Sequence, residues 1–167
     1  EKENKQTVIG NRNHFFAYAH VAHDCVVGND VLFVNNATCG GHVRIDDFAM
    51  VGANVSVHQF CRIGSYSFCA QACGVTKDVP PYMMMTGTPA RARGLNFIGL
   101  KRHGFSVDVI NVLKKAYVIL YDHGLSLAEA LDLMAELALQ VPEVGPLLAF
   151  VKSSKRGITR KKPACNV

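Results

Sequence analysis

Four histidines stand close together in the first part of the chain, each beside a residue suited to chemistry. They are His20, His23 followed by Asp24, His42 preceded by Gly40-Gly41, and His58 followed by Gln59. An imidazole titrates near neutral pH and can take and return a proton, and an adjacent carboxylate fixes its tautomer and supports the imidazolium. A glycine pair lets backbone approach a ligand closely and offer an N–H to a developing oxyanion. Zinc is the competing use of such histidines, but it needs three or four ligands converging at about 2 Å. No serine or cysteine is placed as an obvious nucleophile. Direct group transfer with His23 as general base therefore fits better than a covalent intermediate.

The elements that must position these residues follow from a strict six-residue period. Ile9, Phe15, Val21, Val27, Phe33, Cys39, Ile45, Val51, Val57, Ile63, Cys69 and Val75 are all apolar. A second column of small residues runs Ala19, Cys25, Val31, Ala37, Val43, Ala49, Val55, Cys61, Ser67, Cys73 and Val79. Six is neither the helical period nor the strand period. It predicts a left-handed parallel β-helix of hexapeptide repeats, three hexads to a triangular coil of about eighteen residues. Stacking at that interval sets His23-Asp24 beneath Gly41-His42, and Gly41-His42 beneath Gln59-Phe60, with His58 alongside. The histidines lie off the main inward column, so they cluster on one edge of the prism over roughly 10 Å, at about 4.8 Å per coil.

Composition bounds the rest. The chain has 167 residues, enough for one sizeable core, and no run approaches the ~18 apolar residues of a membrane span. Neither a secretory signal nor stable membrane insertion is expected. Five of the six cysteines fall in the inward columns and read as small hydrophobes in a reducing compartment. The net charge of +5 is concentrated at Arg91, Arg93, Lys101 and Arg102 and in the basic terminal run. That run reads either as a solvated tail or as attraction for an acidic or phosphorylated partner. Nothing interleaves basic and aromatic residues as a nucleic-acid surface would, so no nucleic acid is expected. The repeat is already running at Ile9 with no polar cap before it, which leads us to expect further coils upstream.

The hexads stop at Val79, before Pro80-Pro81. Residues 80–100, rich in Gly, Pro and Met, read as an extended connector, and residues 101–159 as a small C-terminal helical domain. Ser106 caps a first helix ending at Gly124, Ser126 to Glu129 forms a capping box for a second, and Pro142 opens a third that runs toward Lys155. Residues 160–167 read as a disordered basic tail. The predicted domains are thus 1–79, 80–100, 101–159 and 160–167.

Several runs carry a resemblance. Ala19-His20-Val21-Ala22-His23-Asp24-Cys25, Asn35-Asn36-Ala37-Thr38, Gly41-His42-Val43, Val57-His58-Gln59-Phe60, Asp78-Val79-Pro80-Pro81-Tyr82 and Gly99-Leu100-Lys101-Arg102-His103-Gly104-Phe105-Ser106 are similar to the acyl-carrier-protein-dependent UDP-N-acetylglucosamine O-acyltransferases of lipid A synthesis. Ser154-Lys155-Arg156-Gly157-Ile158 resembles the same family. The resemblance spans nearly the whole chain, as the C-terminal portion of the family's length. It implies a cytoplasmic enzyme (or one of an organelle matrix, such as a mitochondrion in a plant) that assembles as a homotrimer with sites between subunits. That enzyme moves a 3-hydroxyacyl chain from acyl carrier protein to the sugar 3-hydroxyl, with no metal or other cofactor. By the same likeness His23 is the base, Asp24 supports it and Gly41 supplies the oxyanion N–H. His20, His42, His58, Gln59, Asn96 and Arg102 bind the sugar nucleotide. His103 and Ile98 depart from the family's second arginine and acidic residue, and Gln71 lies near where the family measures acyl length. Two other readings are the related N-acyltransferase of the same pathway and a non-catalytic trimeric relative.

Overall fold

Every sixth residue from Arg12 to Ala72 is a non-glycine residue at positive φ. A left-handed conformation costs such a residue of order 1–3 kcal/mol, so its regular recurrence marks a designed corner. The computed structural model describes residues 6–121 and 124–159. Between the corners lie twelve two-residue strands, β1 to β12, beginning at Val8, His14, His20, Val26, Leu32, Thr38, Arg44, Met50, Ser56, Arg62, Phe68 and Gly74. They pair only with strands one coil away and in parallel, giving faces ordered β1-β4-β7-β10, β2-β5-β8-β11 and β3-β6-β9-β12. The pairings His20↔Thr38 and Thr38↔Ser56 set the rise at eighteen residues, as the period predicts.

Both inward columns are buried from Cys25 upward, with Val27, Val31, Phe33, Ile45, Val51 and Ile63 at 0–2% exposure. Ser67, the one polar member, is satisfied inside by donating its hydroxyl to the Gly64 carbonyl at 2.7 Å. In the first described coil the same columns are open: Ile9 and Phe15 are 47% and 41% exposed. Cys25, Cys39, Cys61, Cys69 and Cys73 are free and buried. Burial pushes the thiols of Cys61 and Cys73 up to about 11. They serve as packing, not chemistry.

The segment 80–100 is more than the expected connector. Met83–Thr86 (β13) adds to β11 in parallel, and Arg91–Leu95 (β14) returns against it as an antiparallel hairpin. Four helices follow where three were expected: α1 (Phe97–Arg102), α2 (Val107–Tyr121), α3 (Leu127–Gln140) and α4 (Val144–Ser153). The Ser126–Glu129 capping box opens α3, and Ser106 Oγ accepts the Val109 amide at the start of α2. The last helix begins two residues after Pro142 and ends before Lys155. Leu113, Leu120, Met134 and Leu147 form the core of this helical part. The terminal basic tail expected over 160–167 lies outside the described residues. No helix among the described residues is long and apolar enough to cross a membrane.

Candidate active site

One edge of the prism collects the chemistry. Asp24, His42 and Phe60 occupy successive corners at φ 59°, 60° and 66°, each stacked on the one below. The rings show it: His42 lies flat on Phe60 with centroids 4.6 Å apart, and His23 stands edge-on to His42 at 5.1 Å. The sequence expectation that His23-Asp24, Gly41-His42 and Gln59-Phe60 share one edge agrees with this geometry.

Within the edge, His23 Nδ1 is 2.8 Å from Asp24 Oδ2. The His23 side chain is 71% exposed and Asp24 only 18%. The carboxylate, sheltered by the coil, therefore holds Nδ1–H and leaves Nε2 of an open imidazole carrying the lone pair. His42 Nε2 lies 4.0 Å from the same Asp24 oxygen.

Gly41 leaves room for the His23 ring where it stands. A Cβ built there would come 2.5 Å from His23 Cε1 and 2.6 Å from Nε2, so the imidazole lies directly against the Gly41 backbone. Its amide is open, as at most equivalent positions of the repeat. At another corner Asn29 donates its N–H to Asp47 Oδ1 at 2.7 Å, and Asn11 donates to Asn29 Oδ1 at 2.8 Å, each from one coil to the next. Among the described residues no acceptor takes the Gly41 N–H. A backbone donor beside a reactive imidazole nitrogen is the arrangement that stabilises an oxyanion.

The donor atoms of His23, Asp24 and His42 fall within 4.8 Å of one another. Such a group could be drawn around a metal ion, and the 2.8 Å His23–Asp24 contact also suits a base and its supporting carboxylate.

His20 on β3, and His58 and Gln59 at the turn above, are exposed along the same edge or the adjoining face. The two remaining candidates stand elsewhere. Asn96 caps α1, its Oδ1 accepting the Gly99 amide at 3.1 Å and its Nδ2 donating to the Tyr66 carbonyl at 3.0 Å. Tyr66 belongs to a different corner, where Phe48, Tyr66 and Tyr82 stack. His103 closes that stack edge-on to Phe48 and Tyr66 at 5.1 and 5.2 Å. Arg102, exposed in the last turn of α1, goes with it. A single chain thus presents two separate groups, histidines on one corner and Asn96 with Arg102 on another.

One neighbour of the site comes from the Ser154–Ile158 motif, which gave no sign in the sequence of what it would meet. Arg156 brings a guanidinium nitrogen to within 2.9 Å of His58 Nδ1 from 98 residues away.

Comparison with known proteins agrees with the motifs. Residues 78–159 match the family described as UDP N-acetylglucosamine O-acyltransferase, domain 2. The acyl-(acyl-carrier-protein)–UDP-N-acetylglucosamine O-acyltransferase of Ectopseudomonas mendocina is 45% identical over 159 residues, which cover 95% of this chain. The chain spans 62% of that relative's length. Among solved structures, the UDP-N-acetylglucosamine acyltransferase of Francisella novicida superposes with a TM-score of 0.89 at 40% identity, over 92% of this chain and 56% of that one. The Arabidopsis UDP-N-acetylglucosamine acyltransferase gives 0.85 at 37% identity, over 91% and 56%. In its left-handed β-helix and the helical domain after it, the chain is similar to the UDP-N-acetylglucosamine O-acyltransferases over 62% of the length of the Ectopseudomonas mendocina relative.

Proposed function

We propose that this chain catalyses transfer of a 3-hydroxyacyl group from the phosphopantetheine thioester of acyl carrier protein to the 3-hydroxyl of UDP-N-acetylglucosamine. The observation that carries the reading is the exposed His23, held by Asp24 at 2.8 Å and lying against a Gly41 amide with no acceptor among the described residues. His23 Nε2 removes the proton from the sugar hydroxyl as its oxygen attacks the thioester carbonyl. The tetrahedral oxyanion is met by the Gly41 N–H. As it collapses, the C–S bond breaks and the departing thiolate takes the proton back from the imidazolium. Asp24 is a positioning residue that stabilises that imidazolium. No metal or cofactor enters these steps.

His20, His42, His58 and Gln59 line the approach and contact the sugar nucleotide in this reading. Asn96 and Arg102 stand on another corner of the same chain and would reach a neighbour's histidine edge in a homotrimer, with Arg102 placed for a phosphate. The reaction is assigned to the cytoplasm or an organelle matrix.

Incubation with 3-hydroxyacyl carrier protein and UDP-N-acetylglucosamine, with mass spectrometry of the nucleotide, tests this directly. An O-acylated sugar nucleotide is expected from the wild-type protein. Its absence, with a trimer intact by sedimentation, would remove the assignment.

A further inference from the structure

The coil above the histidine corner is two residues short. Val75 still pairs with Val57, eighteen residues below (75 − 57), whereas Val79 bridges to Ile63, sixteen below (79 − 63). The shortening falls between those pairs, directly over Gln59-Phe60. The segment after α4, residues 154–159, fills the gap. Asp78, 1% exposed, ties it down: its carbonyl accepts the Thr159 amide at 2.7 Å, its amide donates to the Gly157 carbonyl at 3.0 Å, and its Oδ2 accepts the Ser154 hydroxyl at 2.7 Å. Its Oδ1 takes the Arg62 amide at 2.8 Å. From this strap Arg156 reaches back to the site. Its Nε donates to the Thr76 carbonyl at 2.9 Å, and a terminal nitrogen stands 2.9 Å from His58 Nδ1.

His58 Nδ1 has a second neighbour, the Gln59 carbonyl at 3.0 Å, and the two make opposite demands. The carbonyl can only accept and would require Nδ1–H. The guanidinium can only donate, stays charged at any accessible pH, and requires the lone pair. Both cannot be met. A bond from a charged donor is roughly twice as strong as a neutral one, and Nδ1–H facing the guanidinium would set two positive hydrogens against each other. We propose that Arg156 is a positioning residue that holds His58 in the Nε2–H tautomer, so that the open side of this ring is a hydrogen-bond donor. Resting on the function proposed above, that donor meets an acceptor oxygen of the sugar nucleotide. The strap thus tunes the site from outside the β-helix.

The test is nitrogen-15 NMR of the imidazoles in the full chain at a pH where they are neutral, with His58 assigned by His58→Gln. Wild type should show Nδ1 unprotonated and Nε2 protonated at His58. Arg156→Leu should move His58 toward the Nδ1–H form, and Arg156→Lys should restore part of the wild-type pattern. A wild-type His58 carrying its proton on Nδ1 overturns the proposal, even if the leucine variant folds poorly. An unchanged tautomer in a folded Arg156→Leu protein overturns it as well. In the transfer assay, Arg156→Leu should raise KM for the sugar nucleotide 5- to 20-fold, within the range of a lost charged-group contact, and change kcat less. An unchanged KM despite a switched tautomer would overturn the donor's role toward the nucleotide. If wild type transfers no acyl group at all, the proposed function falls, while the tautomer result still decides the role of Arg156.

Discussion

Two corners of the same prism share a backbone and differ in what their side chains do for the coil below. At one, Gly28-Asn29 lies under Asp46-Asp47, the Asp47 carboxylate accepts both the Asn29 amide and its side-chain nitrogen, and aromatic rings stack above. At the other, Gly40-Gly41 lies under His58-Gln59, and no side chain among the described residues takes the Gly41 amide. Phe48 and His42 both sit at φ 60°. The left-handed corner is therefore not itself the source of function. At the first corner the Asn29 amide is taken by the next coil, although the Asp47 and Ser65 amides there are open like that of Gly41, so an open amide alone does not mark a site. A corner left with a donor beside an imidazole is available for chemistry.

The strongest way to break this contrast is to remove the imidazole. His23→Ala should lower kcat by about 10²–10⁴, the usual contribution of a general base, with the melting temperature unchanged because the ring is mostly outside the fold. Steady-state kinetics and calorimetry on one preparation check both halves. Near-normal turnover would end the general-base role.

A sharper experiment turns the chemical corner into the structural one. Residue 59 stands over Gly41 as Asp47 stands over Asn29, so Gln59→Asp places a carboxylate where it can take the Gly41 amide. Turnover should fall by roughly 10²–10³, the cost of losing one oxyanion donor, with stability kept or raised. If kcat survives while the melting temperature rises, the Gly41 N–H is not the oxyanion donor.

The mirror substitution acts on stability alone. Asp47→Ala leaves the Asn29 amide, partly buried, without its acceptor and should cost about 1–2 kcal/mol in denaturant unfolding. Its kcat should match wild type within about twofold. A large loss of turnover at unchanged stability would show that the two corners are coupled.

The sequence carried much of this because the repeat makes spacing equivalent to position. With two residues per six facing inward, the eighteen-residue register puts 41 over 23 and 59 over 41 without any knowledge of distant contacts. That logic stops where the repeat stops. The hairpin β13–β14 depends on Met84 pairing with Phe68 and on a bulge at Met84/Met85, and its second strand begins Arg91-Ala-Arg, which reads as a loop. Helix α1 is only six residues long and hangs on the Asn96 cap, too short for any period to show. The motif residue Asn96 was legible as a site candidate, but its side-chain bonds to Gly99 and Tyr66 were not. What Arg156 meets was hidden for another reason: its partner His58 lies a whole domain away along the chain, and only the shortened last coil brings the strap to it.

The smallest effect is expected at the foot of the structural corner, and its pH dependence separates an ion pair from packing. Asp30 receives both Nε and a terminal nitrogen of Arg12, at 2.8 and 2.7 Å. The hydrogen bonds from Arg12 hold the Asp30 carboxyl below its ordinary range, with burial opposing. A carboxyl depressed in the folded state adds stability above its unfolded pKa, about 3.9, and that contribution is lost as pH falls through the folded value. Asp30→Asn keeps the left-handed corner, which asparagine tolerates as well as aspartate, and removes only the charge. Its melting temperature should lie slightly below wild type at pH 7, and the gap should close as the pH is taken below about 3. The pair is exposed, so the gap should also shrink in 1 M salt. A difference that persists unchanged at pH 2 would mean that Asp30 holds the corner by shape and not by charge, and that the arginine is incidental to it.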